Sequence, residues 1–190
     1  MDLFRAVNDV RTNEIVVTTM TATLQWPSIS TEPELDFDFL AFGMGHASDF
    51  ALGLALARPE RRVIVFKGDG GLLMSLGSLV TLAEYGPENL VVILLENRSY
   101  EMTGGQALPS RVDFEMLGRG SGITSVSRWD TRDQVEHNLP RILTEPGPHF
   151  VVVPVTNREP LPAVAHTDHG SRVRKLRAAL DIEPSQRRSG

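Results

Sequence analysis

Arg62-Val63-Ile64-Val65-Phe66-Lys67-Gly68-Asp69-Gly70-Gly71-Leu72-Leu73-Met74 is the stretch whose reading decides the fold. Residues 62–67 carry the apolar, β-branched-rich run Val63-Ile64-Val65-Phe66 and predict a strand. The strand runs into Gly68-Asp69-Gly70-Gly71, which reads as a turn. Leu72, Leu76, Leu79, Val80 and Ala83 then recur at helical spacing and predict a helix over residues 72–84. Gly86-Pro87 ends it. Residues 90–95 follow as an apolar run without alternation, as expected of a parallel strand buried on both faces.

The same rhythm extends outward. Residues 15–19 predict a strand, and residues 27–39 an acidic, turn-rich loop. A helix is predicted over residues 45–57, with Leu52, Leu54 and Leu56 inward and Arg58-Pro59 as its stop. Residues 97–110 form a loop around Gly104-Gly105. A helix over 114–120, a strand over 123–126, a helix over 132–144 and a strand over 150–155 complete the pattern. Strand and helix in alternation imply right-handed crossovers and an α/β fold. The expected architecture is doubly wound, with a mainly parallel sheet and helices on both faces. After Pro154 the composition changes. The chain divides into residues 1–156, a ligand-binding domain, and residues 157–190, an exposed arm with one short basic helix and a disordered tail.

With 190 residues and 41% hydrophobic content, the chain can bury a sizeable core. A formal charge of −5, without a basic block before the C-terminal tail, gives a nucleic-acid partner no electrostatic footprint. The absence of cysteine excludes disulfides, thiolate metal sites and a cysteine nucleophile. No apolar run is long enough for a bilayer, and no signal-peptide core opens the chain. A cytoplasmic protein with no membrane partner is expected.

The chemistry concentrates at the predicted strand ends. A glycine turn between strand and helix aims backbone N–H groups and a helix dipole at one point, which suits phosphate. Glycines at 68, 70 and 71 let a ligand approach the backbone closely. Asp69 would repel a phosphate there, and a divalent cation between the two removes the conflict. Magnesium prefers carboxylate, amide, carbonyl and phosphate oxygens. Asn97 ends the next predicted strand and is expected beside Asp69, with the Ser99 carbonyl as a third protein ligand. Taken alone, Gly-Asp-Gly reads better as an Asx-turn or a helix cap, and the Asn at the end of the following strand makes the pattern more specific.

Gly68-Asp69-Gly70 with Asn97 one βα unit later resembles the signature of thiamine-diphosphate enzymes. The likeness extends to Gly43-Met44-Gly45-His46-Ala47-Ser48, to Gly71-Leu72-Leu73-Met74 and to Met102-Thr103-Gly104-Gly105-Gln106. It covers residues 40–155 and is similar to the diphosphate-binding domain of the phosphonopyruvate and sulfopyruvate decarboxylases. The resemblance implies thiamine diphosphate and Mg2+ as cofactors, with Asp69, Asn97 and the Ser99 carbonyl on the metal. It implies Gly68, Gly70 and Gly71 at the diphosphate, with His46 and Ser48 nearby. Met44 stands where a bulky residue props the cofactor in a bent shape, and Gly43 where a carbonyl meets the aminopyrimidine. Beyond the metal loop, Tyr100, Glu101 and Met102 read as cofactor contacts and Thr103, Gly104, Gly105 and Gln106 as a substrate-anion site through backbone amides, or equally as a mobile loop that gains order with ligand. The chain departs from the family pattern at Glu96, Arg98 and Phe42.

The family's activating glutamate belongs to a separate pyrimidine-binding domain, for which 190 residues leave no room. The resemblance therefore implies a partner subunit, in a heterodimer or heterotetramer, and no certain catalytic residue in this chain. The expected activity is decarboxylation of a 2-oxo acid. A carboligase or synthase subunit, or a non-catalytic regulatory subunit of the same fold, are the alternatives. Elsewhere, His137 reads as a surface residue, His149 as structural, and Trp26 and Trp129 as packing residues. His166, Asp168 and His169 read as part of the exposed arm.

Overall fold

The computed structural model describes residues 3–38, 43–156 and 168–180. Along the chain run α1 (Leu3–Val10), β1 (Ile15–Thr18), α2 (Thr21–Gln25), β2 (Asp36–Asp38), α3 (Ala47–Ala57) and β3 (Val63–Gly68). Then come α4 (Asp69–Met74), α5 (Ser78–Tyr85), β4 (Leu90–Glu96), and a small ribbon of β5 (Ser99–Tyr100) and β6 (Gln106–Ala107). The elements α6 (Phe114–Gly120), β7 (Ser125–Arg128), α7 (Arg132–Ile142), β8 (His149–Pro154) and α8 (His169–Ala179) complete the described chain.

Six strands form one sheet in the order β2-β1-β3-β4-β8-β7. All its pairings are parallel. The central strands alternate between two cores. Val63, Val65, Leu90, Val92 and Leu94 face α3, α4, α5 and α6. Ile64, Phe66, Val91 and Ile93 face α1, Trp26 and α7. Both faces are covered, so the central strands are apolar up to Lys67 and Glu96 near their tips, and the doubly wound architecture is as expected. Gly68 pairs with Leu95 in register. The tips of β3 and β4 therefore end level at one edge of the sheet.

Four expectations are corrected. Residues 27–39 are not simply a loop, because Asp36–Asp38 adds an edge strand to β1. Asp-Phe-Asp has little strand propensity. Ion pairs hold it instead: Arg11 with Asp36 at 2.7 Å, and Arg172 with Asp38. The helix expected over 72–84 starts three residues earlier and is broken between Met74 and Ser78. Leu76 and Val80 are exposed at that break, and Leu56 faces outward from α3.

The C-terminal helix does not stand free of the domain. Leu176 and Leu180 are buried in the same core as β1 and β3. Arg58 also donates to the Leu180 carbonyl. Pro160, Pro162, His166 and the 184–190 tail lie outside the described residues, as does Phe42. Among the described residues, no helix is long and apolar enough to cross a membrane.

Far from the glycine turn, His149 fixes the opposite end of β8. The Glu145 carbonyl accepts from Nε2 at 3.1 Å, so Nδ1 must accept from the Ser125 hydroxyl at 2.7 Å. Burial holds the His149 pKa below its ordinary 6.5. The unfolded chain therefore binds the proton first, and the stability that His149 contributes is lost as the pH falls below about 6.5. Urea unfolding at pH 7.5 and pH 5.5 should show a stability difference that shrinks in His149→Gln. An equal difference in both proteins would contradict this.

Candidate functional site

The carboxyl ends of the parallel strands open onto a cleft of about 1010 Å³. That is the upper end of the usual size of small-molecule sites, roughly 300–1,000 Å³. Gly68 to Gly71 form its floor, and Met44, Asn97 and the segment from Ser99 to Thr103 form part of its walls.

Asp69 is the first residue of α4 and only 1% exposed. Its Oδ1 accepts from the Gly70 amide at 2.8 Å. Its Oδ2 accepts from the Arg98 amide at 2.7 Å, across the sheet edge. Burial raises its pKa, backbone hydrogen bonds from Arg98 and Gly70 oppose this, and the Glu96 charge adds to the rise. No ion pair reaches Asp69 among the described residues. A buried carboxylate served only by N–H groups is costly without a cation.

Asn97 sits just beyond β4. Its Oδ1 accepts from the Ser99 amide at 2.9 Å, and its Nδ2 donates to Glu101 at 3.3 Å. Glu101 also accepts from the Thr21 hydroxyl at 2.8 Å. The Ser99 carbonyl lies close above Gly70. Asp69, Asn97 and Ser99 therefore crowd one edge, and their side-chain and carbonyl oxygens have the chemistry of a hard divalent-cation site.

Arg98 explains itself in this setting. It adopts a left-handed backbone, with φ 60°. Its guanidinium leaves the cleft to pair with buried Glu96, to donate to the Val112 carbonyl at 2.8 Å and to lie over Phe114. Arg128 grips the other Glu96 oxygen at 2.6 Å. Two of the three departures noted in the sequence, Glu96 and Arg98, are thus one ion-paired unit, and its bulk stays out of the site.

Other expected residues fall differently. Met44, 42% exposed, looks into the cleft beside Gly71. Tyr100, Glu101, Met102 and Thr103 line it too. The structure does not bring His46, Ser48, Gly43, Gly104, Gly105 or Gln106 to that lining. His46 instead pairs with Asp49 at 2.6 Å on the outer surface. Ser48 is buried behind the turn and receives a hydrogen bond from Lys67. Gln106 donates to the Thr103 carbonyl within the ribbon.

Lys67 is the buried group that sequence reasoning missed. Its ammonium donates to the Gly45 carbonyl at 2.5 Å and to Ser48 Oγ at 2.6 Å, with Ser75 and Ser78 at 3.4 and 3.5 Å. Burial lowers its pKa to about 8, and the Asp49 charge opposes that. A lysine closing an otherwise apolar strand was the available signal. Trp129 packs in the core as expected, whereas Thr21 at the start of α2 and Asp130 beyond β7 also line the cleft and were missed. The rule that parallel strands end on one side would have found them.

A parallel sheet ending in a glycine turn, a buried carboxylate and a facing amide makes this a doubly wound α/β domain with a candidate ligand site at its strand tips. The chain belongs to the thiamine pyrophosphate enzymes, through the C-terminal TPP binding domain, whose family profile matches residues 18–153. It is 41% identical over 118 residues to the sulfopyruvate decarboxylase subunit beta of Methanothermobacter thermautotrophicus, covering 62% of this chain and 60% of that one. It is 37% identical over 118 residues to the phosphonopyruvate decarboxylase of Streptomyces hygroscopicus, covering 62% of this chain and 29% of that one. The chain thus spans under two thirds of either relative. Benzoylformate decarboxylase from Polynucleobacter necessarius shares the fold, with a TM-score of 0.71 at 21% identity, over 84% of this chain and 33% of that one.

A methyl group on Gly70 would lie 2.8 Å from Cδ1 of the Tyr100 ring and 3.4 Å from the Ser99 carbonyl. Alanine favours a helix over glycine by about 1 kcal/mol. The crowding should outweigh that gain, so Gly70→Ala should lower the thermal midpoint. A rise in midpoint would show that Tyr100 is not held against the turn.

Proposed function

We propose that this chain supplies the diphosphate- and metal-binding half of a thiamine-diphosphate-dependent 2-oxo acid decarboxylase. The observation that carries the reading is the buried Asp69 carboxylate, tied to the tip of β4 and lacking a cationic partner among the described residues. A divalent cation resolves that imbalance, and all-oxygen donors favour magnesium. Asp69, the Asn97 amide oxygen and the Ser99 carbonyl would hold it, and Gly70 and Gly71 would leave the backbone bare for the diphosphate. Met44 would meet the cofactor's apolar middle from across Gly71.

When bound, the cofactor would supply the electron sink that loss of carbon dioxide from a 2-oxo acid requires. The chain's own residues bind and orient. Asp69 and Asn97 anchor the charged end, and the segment from Tyr100 to Thr103 screens the cleft from water. A separate pyrimidine-binding subunit would supply the activating glutamate, and a relative named as a subunit beta supports a two-chain arrangement. Relatives named for sulfopyruvate and phosphonopyruvate support an acidic substituent on a pyruvate-like substrate.

The chain, purified with its partner, should release carbon dioxide from one of a panel of 2-oxo acids that includes sulfonated and phosphonated pyruvates. Asp69→Ala should abolish Mg2+-dependent cofactor binding by that complex. Accumulation of a carboligation product without net decarboxylation would instead favour the synthase reading. Unchanged cofactor affinity in Asp69→Ala would reject the site.

A further inference from the structure

We infer that Glu101 is a positioning residue: its carboxylate fixes the orientation of the Asn97 amide and latches the β5–β6 ribbon to α2. The inference rests on the metal site proposed above. Two donors converge on one oxygen, Oε2: the Thr21 hydroxyl at 2.8 Å and Asn97 Nδ2 at 3.3 Å. Thr21 belongs to the helix that follows the tip of β1, and Asn97 lies at the tip of β4. Since β3 separates β1 from β4, the carboxylate bridges across the glycine turn.

The amide has only one admissible orientation in this network. An ionised carboxylate accepts only, and a backbone amide donates only. Turning the Asn97 side chain over would set its oxygen against Glu101 Oε2 and its NH2 against the Ser99 N–H. Both contacts would become repulsive. Glu101 and the Ser99 amide therefore select the same face of Asn97 from opposite sides. They keep Oδ1 on the side of the Ser99 backbone and Nδ2 away from it.

The shared acceptor also sets the place of the ribbon. Asn97, just beyond β4, is only partly buried, as are Ser99 and Tyr100, which belong to a short two-stranded ribbon that cannot hold itself in water. Tyr100 packs it on the core at the Gly70 turn, the Arg98 anchor ties it on one side, and Glu101 supplies its side-chain tie to α2. Removing Glu101 would free the Asn97 amide to rotate and the ribbon to move away from α2.

Because both donors meet one oxygen, a glutamine carbonyl can replace it without the charge. This separates positioning from a role in which the charge itself acts on cofactor or substrate. The measurement is calorimetric titration of Mg2+ into the full chain with thiamine diphosphate present. Removing a group that orients a metal ligand typically weakens metal affinity about 10–100-fold. Glu101→Ala should weaken Mg2+ binding about tenfold or more, and Glu101→Gln should stay within about threefold of the parent. Thr21→Val, which leaves Glu101 in place but removes its firmer donor, should fall between them. Glu101→Ala with unchanged affinity, or Glu101→Gln as impaired as Glu101→Ala, overturns the inference. Asp69→Ala serves as the reference. If it loses Mg2+ binding while Glu101→Ala does not, only the positioning role fails. If the parent chain takes up no Mg2+, or Asp69→Ala binds as the parent does, the metal site fails and the inference with it.

Discussion

A carboxylate held out of water at the end of a parallel strand is the constraint around which the rest of this molecule is arranged. Asp69 is nearly inaccessible, and the bonds it receives come from backbone amides of its own helix and of the neighbouring strand's loop. Amide donors reduce the cost of burying the charge without neutralising it. The sheet makes this possible. Level tips of β3 and β4 put the loop after β4 within reach of the first residue after β3. An edge strand, or a register shifted by one residue, would separate the two groups.

The neighbouring elements hold that edge rigid by different means. Behind the glycine turn, the Lys67 ammonium gathers the Gly45 carbonyl and the hydroxyls of Ser48, Ser75 and Ser78. Ser75 donates to the same Gly45 carbonyl. The helix break between α4 and α5 is therefore a docking point for the turn that presents Met44. In front, the Glu96, Arg98 and Arg128 side chains lock the loop after β4. One polar cluster fixes the floor of the cleft and the other fixes its wall. Each buries a charge, and each matches it with polar or oppositely charged partners.

Much of this was legible in the sequence, for a physical reason. Strands β3, β4 and β8 are covered on both faces, so they read as unbroken apolar runs. Their order along the chain brings Asp69 and Asn97 to neighbouring tips. Strand β2 was not legible, because Asp36 and Asp38 sit in it through ion pairs with residues far away in sequence. The split of the expected 72–84 helix was hidden for a similar reason. Its apolar spacing continues through the break, and the contact with Gly45 that accompanies the break is tertiary. In the site, the bridge from Thr21 to Glu101 spans 80 residues and depends on strand order alone. The placement of Ser48 behind the turn depended on the direction of the Lys67 side chain, which a lysine in an apolar strand flags but does not specify.

Glu96 and Arg98 show how a departure from a family pattern can leave the site intact. A left-handed residue after Asn97 would ordinarily be glycine, because a side chain there is strained. Arg98 accepts that conformation with φ 60° and is held there by contacts at both ends of the residue. Its amide donates to Asp69, its carbonyl accepts from Leu108, and its guanidinium reaches Glu96, Val112 and the Phe114 face. The backbone strain, of order 1–3 kcal/mol, is offset by contacts that a glycine could not make. Those contacts point the long side chain along the α6 side of the sheet. The backbone of residues 97–99 therefore keeps the path that the Asp69 site needs, although neither Glu96 nor Arg98 suggests it when read singly.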